Sequence, residues 1–458
     1  MYNTLFNITQ TQCICEMIKV NDSISALNYF STNQTCQLFR TNITLIFLEY
    51  YSNSTFIFLN QSSISILNIR EYPPSTPLST PTTISSSSTT TTSSTTTISS
   101  TTTTTTSSTA TSTTSAFNFF PDNIIYPVGS TPRSVAVIDV NNDNKPDIVV
   151  ANLGSNNVGV LLNVENGTFL KQVTYSVGNS PFSVAVVDVN SDNEPDIIAA
   201  NFGSNTISIL FNVGNGTFLN QTTYSVGSSP YSVAVVDVDG SNKPDIIVAN
   251  SGSNTLSILL NAGNGIFNAQ TTYSVSSTPY SVTVIDVNND NKPDIIVANY
   301  GSNTVGVLFN GGNGTFLHQT TYSAGTGPIS VAAVDVNGDN NADVVVANFG
   351  SNTVGVFLNV GNGTFLHQTT YSVGSGPRSV AAVDMNNDNK PDIIVANSGS
   401  KTVSLLLNIG NGTFMNQAAY PVGSYPCSLV VIDVNNDNEP DIIVANRDSN
   451  SINVLLHF

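Results

Sequence analysis

Seven segments of this chain place side-chain oxygens at every second position, a spacing that suits the grip of a hard cation. The first copy carries Asp139, Asn141 and Asp143, then Lys145 and Asp147. Oxygens at positions one, three, five and nine, with a backbone carbonyl at seven, can converge on one ion of calcium size. The second copy supplies Asp188, Asn190, Asp192 and Asp196, with Glu194 giving the carbonyl. The third reads Asp237, Asp239, Ser241, Lys243 and Asp245, and its altered middle predicts a weaker site. Asp286, Asn288, Asp290, Lys292 and Asp294 make the fourth, and Asp335, Asn337, Asp339, Asn341 and Asp343 the fifth. The sixth is Asp384, Asn386, Asp388, Lys390 and Asp392, and the seventh Asp433, Asn435, Asp437, Glu439 and Asp441. The expectation is up to seven structural Ca2+ sites.

Segments rich in Asn and Asp also make tight turns without any metal, because these side chains hydrogen-bond their own backbone and tolerate left-handed angles. Three carboxylates within nine residues, seven times over, argue for a cation, since like charges that close repel one another. An EF-hand loop opens the same way but needs a carboxylate at position twelve and helices on both sides. Position twelve here is Val150, Ala199, Val248, Val297, Val346, Val395 or Val444, which excludes it.

The elements that hold these loops are strands. SVAVIDV precedes the first loop and DIVVAN follows it, both rich in β-branched residues and too short for helices. The opening Asp recurs every 49 residues, at 139, 188, 237, 286, 335, 384 and 433, so the loops belong to a repeat. One unit, read from Tyr224, holds four short segments separated by Gly and Asn turns, with no helical period. Four-stranded units arranged radially make a β-propeller. A parallel β-roll carries nonapeptide tandems instead. The chain ends on the third strand of unit seven, and 118–129 align with the fourth-strand segment ending at Gly423, which predicts a ring closed by strands from both ends. The fold class expected is all-β, a seven-bladed β-propeller with four-stranded blades over 116–458.

The units resemble the FG-GAP/VCBS-type repeats of integrin alpha-subunit propellers in their D-x-[DN]-x-D loops, NGTF turns and aliphatic strands. That resemblance covers about 340 residues. It implies calcium in each loop, bound through the residues named above, and an extracellular protein-binding or adhesion role.

Strand direction sets two faces. The first strand runs into the acidic loop and the third into the N-G turn, so both lie on one face. The other face is made by the x-P-x-S segment and the A-N-x-G-S-N turn, where one position varies within a constant frame. Its aromatic members Phe182, Tyr231, Tyr280 and Tyr300 are the expected partner site, since interfaces favour aromatics and arginine. The ligand expected there is an extracellular protein. A glycan stacked on the aromatic rim is the alternative, and a structural surface protein a further one.

The formal charge is −18, and 21 of the 30 acidic residues are loop aspartates, so the acidity mostly serves the loops. Twelve basic residues without a cluster exclude a nucleic-acid footprint. No apolar run of about 18 residues is present to cross a bilayer. Sequons at Asn166, Asn215, Asn313, Asn362 and Asn411, with more before residue 62, favour an extracellular or cell-surface location and N-glycosylation. The first residues show no signal peptide. Residues 1–72 read as a small β-rich module, similar around Cys13, Cys15 and Cys36 to part of an apple module. Residues 73–115 are a Pro, Ser and Thr tract expected to act as a linker, mucin-like if it carries O-glycans and otherwise an unmodified flexible spacer. His318, His367 and His457 form no catalytic constellation with the acids, so no enzyme is expected.

Overall fold

A computed structural model of the protein describes residues 119–457 and four strands nearer the N-terminus. The chain divides into two units, 1–107 and 108–458. In the first, Ala26–Phe30 pairs antiparallel with Thr35–Phe39, and Leu45–Leu48 with Ile57–Asn60. Cys13, Cys15 and the expected linker lie outside the described residues.

The second unit is a seven-bladed β-propeller of four-stranded antiparallel sheets. Blade one runs Pro132–Ile138, Asp147–Asn152, Asn157–Leu161 and Val173–Ser176, each strand pairing with the next. Its second strand is buried along its whole length because blades stack face to face. Val149 and Ala151 pack toward Ile197 and Ala199 of blade two, whereas Ile148 and Val150 pack toward Ile443 and Ala445 of blade seven. A strand covered on both faces needs apolar residues at consecutive positions, which is why DIVVAN does not alternate. Each buried Ile or Val of such a strand contributes about 1.5–3 kcal/mol.

Hydrogen bonds run from blade to blade around the ring. The first strand of each blade carries one serine whose hydroxyl accepts the backbone amide of the next blade's first strand. Val184 donates to Ser134 at 3.1 Å, the same pairing recurs at each step, and Val135 donates to Ser428 at 3.3 Å to complete the circle. A second link is aromatic. Tyr175 on the fourth strand of blade one meets Phe218, after the N-G turn of blade two, edge to face at 5.3 Å.

The ring closes as expected. Asp122–Pro127 becomes the fourth strand of blade seven, paired with Ser451–Leu456 from Leu456 opposite Asp122 to Ser451 opposite Pro127. Phe120 sits behind it in the core of the last two blades. Removing residues 119–128 exposes the edge of Ser451–Leu456 and uncovers Leu455 and Leu456. The expected result is a fall of about 10 °C or more in melting temperature, with aggregation, read by calorimetry and light scattering.

Candidate functional site

Each acidic loop is held in shape by its own opening aspartate. Asp139 Oδ1 accepts the amides of Asn141 at 3.1 Å and Asp143 at 3.3 Å, and Oδ2 accepts that of Asn144 at 2.7 Å. The chain turns through left-handed angles at Asn142 (φ 60°) and Asn144 (φ 62°), which asparagine tolerates. The turn chemistry and the metal-donor pattern thus occupy the same residues. The donors are all oxygen and include three carboxylates per loop, a set that fits a hard divalent cation. In blade three, Asp237, Asp239 and Asp245 bring carboxylate oxygens within 4.8 Å of one another.

The ninth-position aspartate does more than its place in the spacing indicates. Asp147 has no exposed surface; its Oδ2 accepts the Val140 amide at 3.0 Å and its Oδ1 the Asn163 amide at 2.7 Å. One carboxylate therefore joins the loop, the second strand and the exit of the third. Burial pushes its carboxyl up to about 6 against the pull of those amides, with the Asp143 and Asp139 charges adding to the rise. Asp441 is pushed to about 7 by the same causes, burial first.

Position seven, expected to give only its carbonyl, uses its side chain as well. Lys292 and Lys390 fold back onto Asp290 and Asp388 at 3.3 and 2.9 Å. Glu194 instead accepts Asn142 of the preceding blade at 2.8 Å, and Glu439 likewise takes Asn387. An asparagine after the third strand, missed in the sequence, also crosses blades: Asn212 donates to Val140 O at 2.8 Å and Pro195 O at 3.1 Å. Its signal was present, since Asn163, Asn261, Asn310, Asn359 and Asn408 repeat it at the same period. The sequon asparagines 166, 215, 313, 362 and 411 are all exposed in the adjoining N-G turns. Gly216 in one such turn has φ +73°, and a Cβ there would lie 3.3 Å from Asn141 Cβ, placing turn and acidic loop on one face.

The opposite face carries the variable positions. The turn after the second strand bonds to the segment before the first, with Leu153 and Gly154 donating to Thr131 O and Ser130 O. The four expected partner residues come together there as a continuous pile. Phe182 lies 3.9 Å from Tyr231 between ring centroids, Tyr231 lies 3.9 Å from Tyr280 at 11°, and Tyr280 lies 4.6 Å from Tyr300. They border a cavity of about 410 Å³ shared with Phe202, Phe349, Arg133 and Arg378. Burial pushes the Tyr231 hydroxyl up to about 12.

A closed ring of seven blades with an acidic hairpin in each defines a repeat propeller. The sequence belongs to the FG-GAP-like repeat family, whose model matches residues 139–199, 188–248, 237–297, 286–346, 335–395 and 384–444. No curated protein sequence matches the chain. Among solved structures, BBS1N in complex with ARL6DN is similar at a TM-score of 0.54 and 13% identity, over 74% of this chain and 96% of that one. A catalytically inactive virginiamycin B lyase from Staphylococcus aureus, solved with quinupristin, is similar at 0.50 and 15%, over 73% and 100%. At these identities the likeness is one of fold.

Replacing Asp196 by Asn leaves one of two buried amides, Val189 or Asn212, facing an NH2 group. The expected cost is about 2 kcal/mol, measured by urea unfolding in the presence of a chelator so that metal plays no part.

Proposed function

We propose that this protein is an extracellular, non-enzymatic binding module, braced by calcium on one face and docking a protein partner on the other. The reading rests on the axial cavity, where aromatic and arginine side chains from separate blades converge while the acidic loops lie on the far side. Aromatic residues and arginine are the side chains that dominate interface energetics. A protein partner is favoured over a stacked glycan because Tyr231 and Tyr280 already use their ring faces on each other. The exposed sequons sit beside the acidic loops, so N-glycans there would crowd that face and leave the aromatic face open.

Calcium is proposed from the donor set. A cation among Asp139, Asp143 and Asp147 would offset carboxylate charges that backbone amides, with Asn141 and Lys145 at Asp143, already hold close together, and the other six loops also offer three carboxylates each. Saturating calcium is expected to raise the melting temperature by about 10 °C or more over EDTA. Equal melts, with no heat on calcium titration, would remove calcium from the proposal.

The docking face is tested by exchanging Tyr280 and Tyr300 together for Ala and leaving Tyr231 in place. Capture of cell-surface protein is expected to fall at least tenfold while the melt stays within a few degrees of wild type. Undiminished capture would place the partner on another surface.

A further inference from the structure

The mouth of the axis is electrically lopsided. Arg133, Arg378 and Arg447 are the arginines of the propeller, and all three come from adjacent blades: one, six and seven. Blades two to five fill the rest of the mouth with Phe182, Tyr231, Tyr280, Tyr300, Ile329 and Phe349. A cationic sector thus abuts an aromatic one in a protein whose formal charge is −18.

The cationic sector lacks an internal counter-charge. Among the described residues, Arg447 meets a carboxylate, Asp448 at 3.5 Å, whereas Arg133 and Arg378 have none within ion-pair distance. Both are held by rings instead. Arg133 lies 4.7 Å over Phe182, and Arg378 lies 4.9 Å over Phe349 and 4.8 Å over Tyr425, donating to the Tyr425 hydroxyl at 2.6 Å. Their buried Nε atoms find no hydrogen-bond partner among the described residues. Burial disfavours the charge on Arg133, and the neighbouring Arg378 and Arg447 add to that, with Cys427 and Tyr231 pulling the other way. Cys427 lies between the two arginines in the ring. Its thiol donates to Pro132 O at 3.2 Å, and burial pushes it up to about 11, so it stays neutral.

We infer that this cavity takes a carboxylate carried beside an aromatic or aliphatic group of a protein partner, with the acid between Arg133 and Arg378 and the apolar group on the tyrosine arc. Guanidinium groups present paired donors that match a carboxylate. A half-buried, ring-lined site favours a singly charged acid over a phosphate, whose desolvation costs more. A volume of about 410 Å³ admits one such side chain with its neighbour. The inference rests on the proposed use of this face for binding and adds the sign of the charge that it recognises.

The chain contains no tryptophan, so indole fluorescence anisotropy reports a probe without background. N-acetyl-tryptophanate and N-acetyl-tryptophanamide differ only in the charge at the carboxyl group. The acid is expected to bind about tenfold more tightly than the amide at low salt, against the repulsion of the protein's net charge. N-acetyl-tryptophyl-aspartamide against its asparagine counterpart repeats the comparison for a side-chain carboxylate. A preference in the first pair alone indicates a chain end, and one in the second indicates an acidic side chain; either supports the inference. Arg133→Gln and Arg378→Gln, each checked by its melt, should abolish the preference of acid over amide. Tyr280→Ala should weaken both probes. If acid and amide bind alike and both weaken in Tyr280→Ala, the docking face stands and the acid preference is overturned. Failure of wild type to bind any probe also overturns the inference, while the capture experiment above judges the docking face separately.

Discussion

The constraint on which the propeller depends is that each central strand is buried on both faces and yet begins and ends with a polar residue. Asp147 and Asn152 bound the first of these strands, and neither has any exposed surface. Leaving such groups unpaired costs about 1–3 kcal/mol each, so the chain beyond each end of the strand curls back to pair both carboxylate oxygens at the Asp end and the amide nitrogen at the Asn end, while Oδ1 of Asn152 finds no partner among the described residues. At the Asp end, the acidic loop and the exit of the third strand both give an amide to one carboxylate. At the Asn end the amide nitrogen of Asn201 reaches Ser208 at 2.8 Å, and Asn152 turns to Asn157 at 2.9 Å. Both faces of the disc are thus ordered from within, one around a carboxylate and one around an amide.

Much of this was legible in the sequence because the period is strict. The blade count, the four strands, the closure by 118–129 and the two faces all follow from one interval and the direction of travel. The variable positions stood out for the same reason: a constant frame makes Phe182, Tyr231, Tyr280 and Tyr300 conspicuous, and the structure piles them together. What the sequence hid were roles in which one residue serves two blades. Ser134 looks like a small strand residue until Val184 of the next blade is seen to donate to it. Glu194 reads as a carbonyl donor in its own loop, yet its carboxylate holds Asn142 of the blade before. Such pairings join positions about a period apart, and a repeat unit read by itself contains only one partner of each.

The departures from the repeat have physical consequences of two kinds. Some are absorbed locally. Gly159 stands where blade two has Ser208, and Gln172 fills its place, its Oε1 lying where a Cβ would intrude. Others gather on one side of the mouth, where arginines of blades one, six and seven replace the aromatic residues of blades two to five. The frame beneath is the same in both sectors, so the difference in chemistry costs the fold little and changes what the face can meet.

Blade seven shows how far the frame bends before a link is replaced. His457 occupies the position held by asparagine in the other six blades, and its backbone amide still donates to Asp441 at 2.8 Å. Its ring makes a different kind of contact. It lies 5.2 and 5.7 Å from the rings of Phe119 and Phe120, with Glu439 3.6 Å from Nδ1. Burial holds its basicity below the ordinary value even with that carboxylate at hand. The main-chain half of the lock is kept, and aromatic packing against the residues before Asp122 stands in for the side-chain half. That exchange suits the one blade whose fourth strand arrives from the opposite end of the chain: Phe119 and Phe120 lead directly into the closing strand, so the contact that replaces the asparagine also positions the strand that completes the ring.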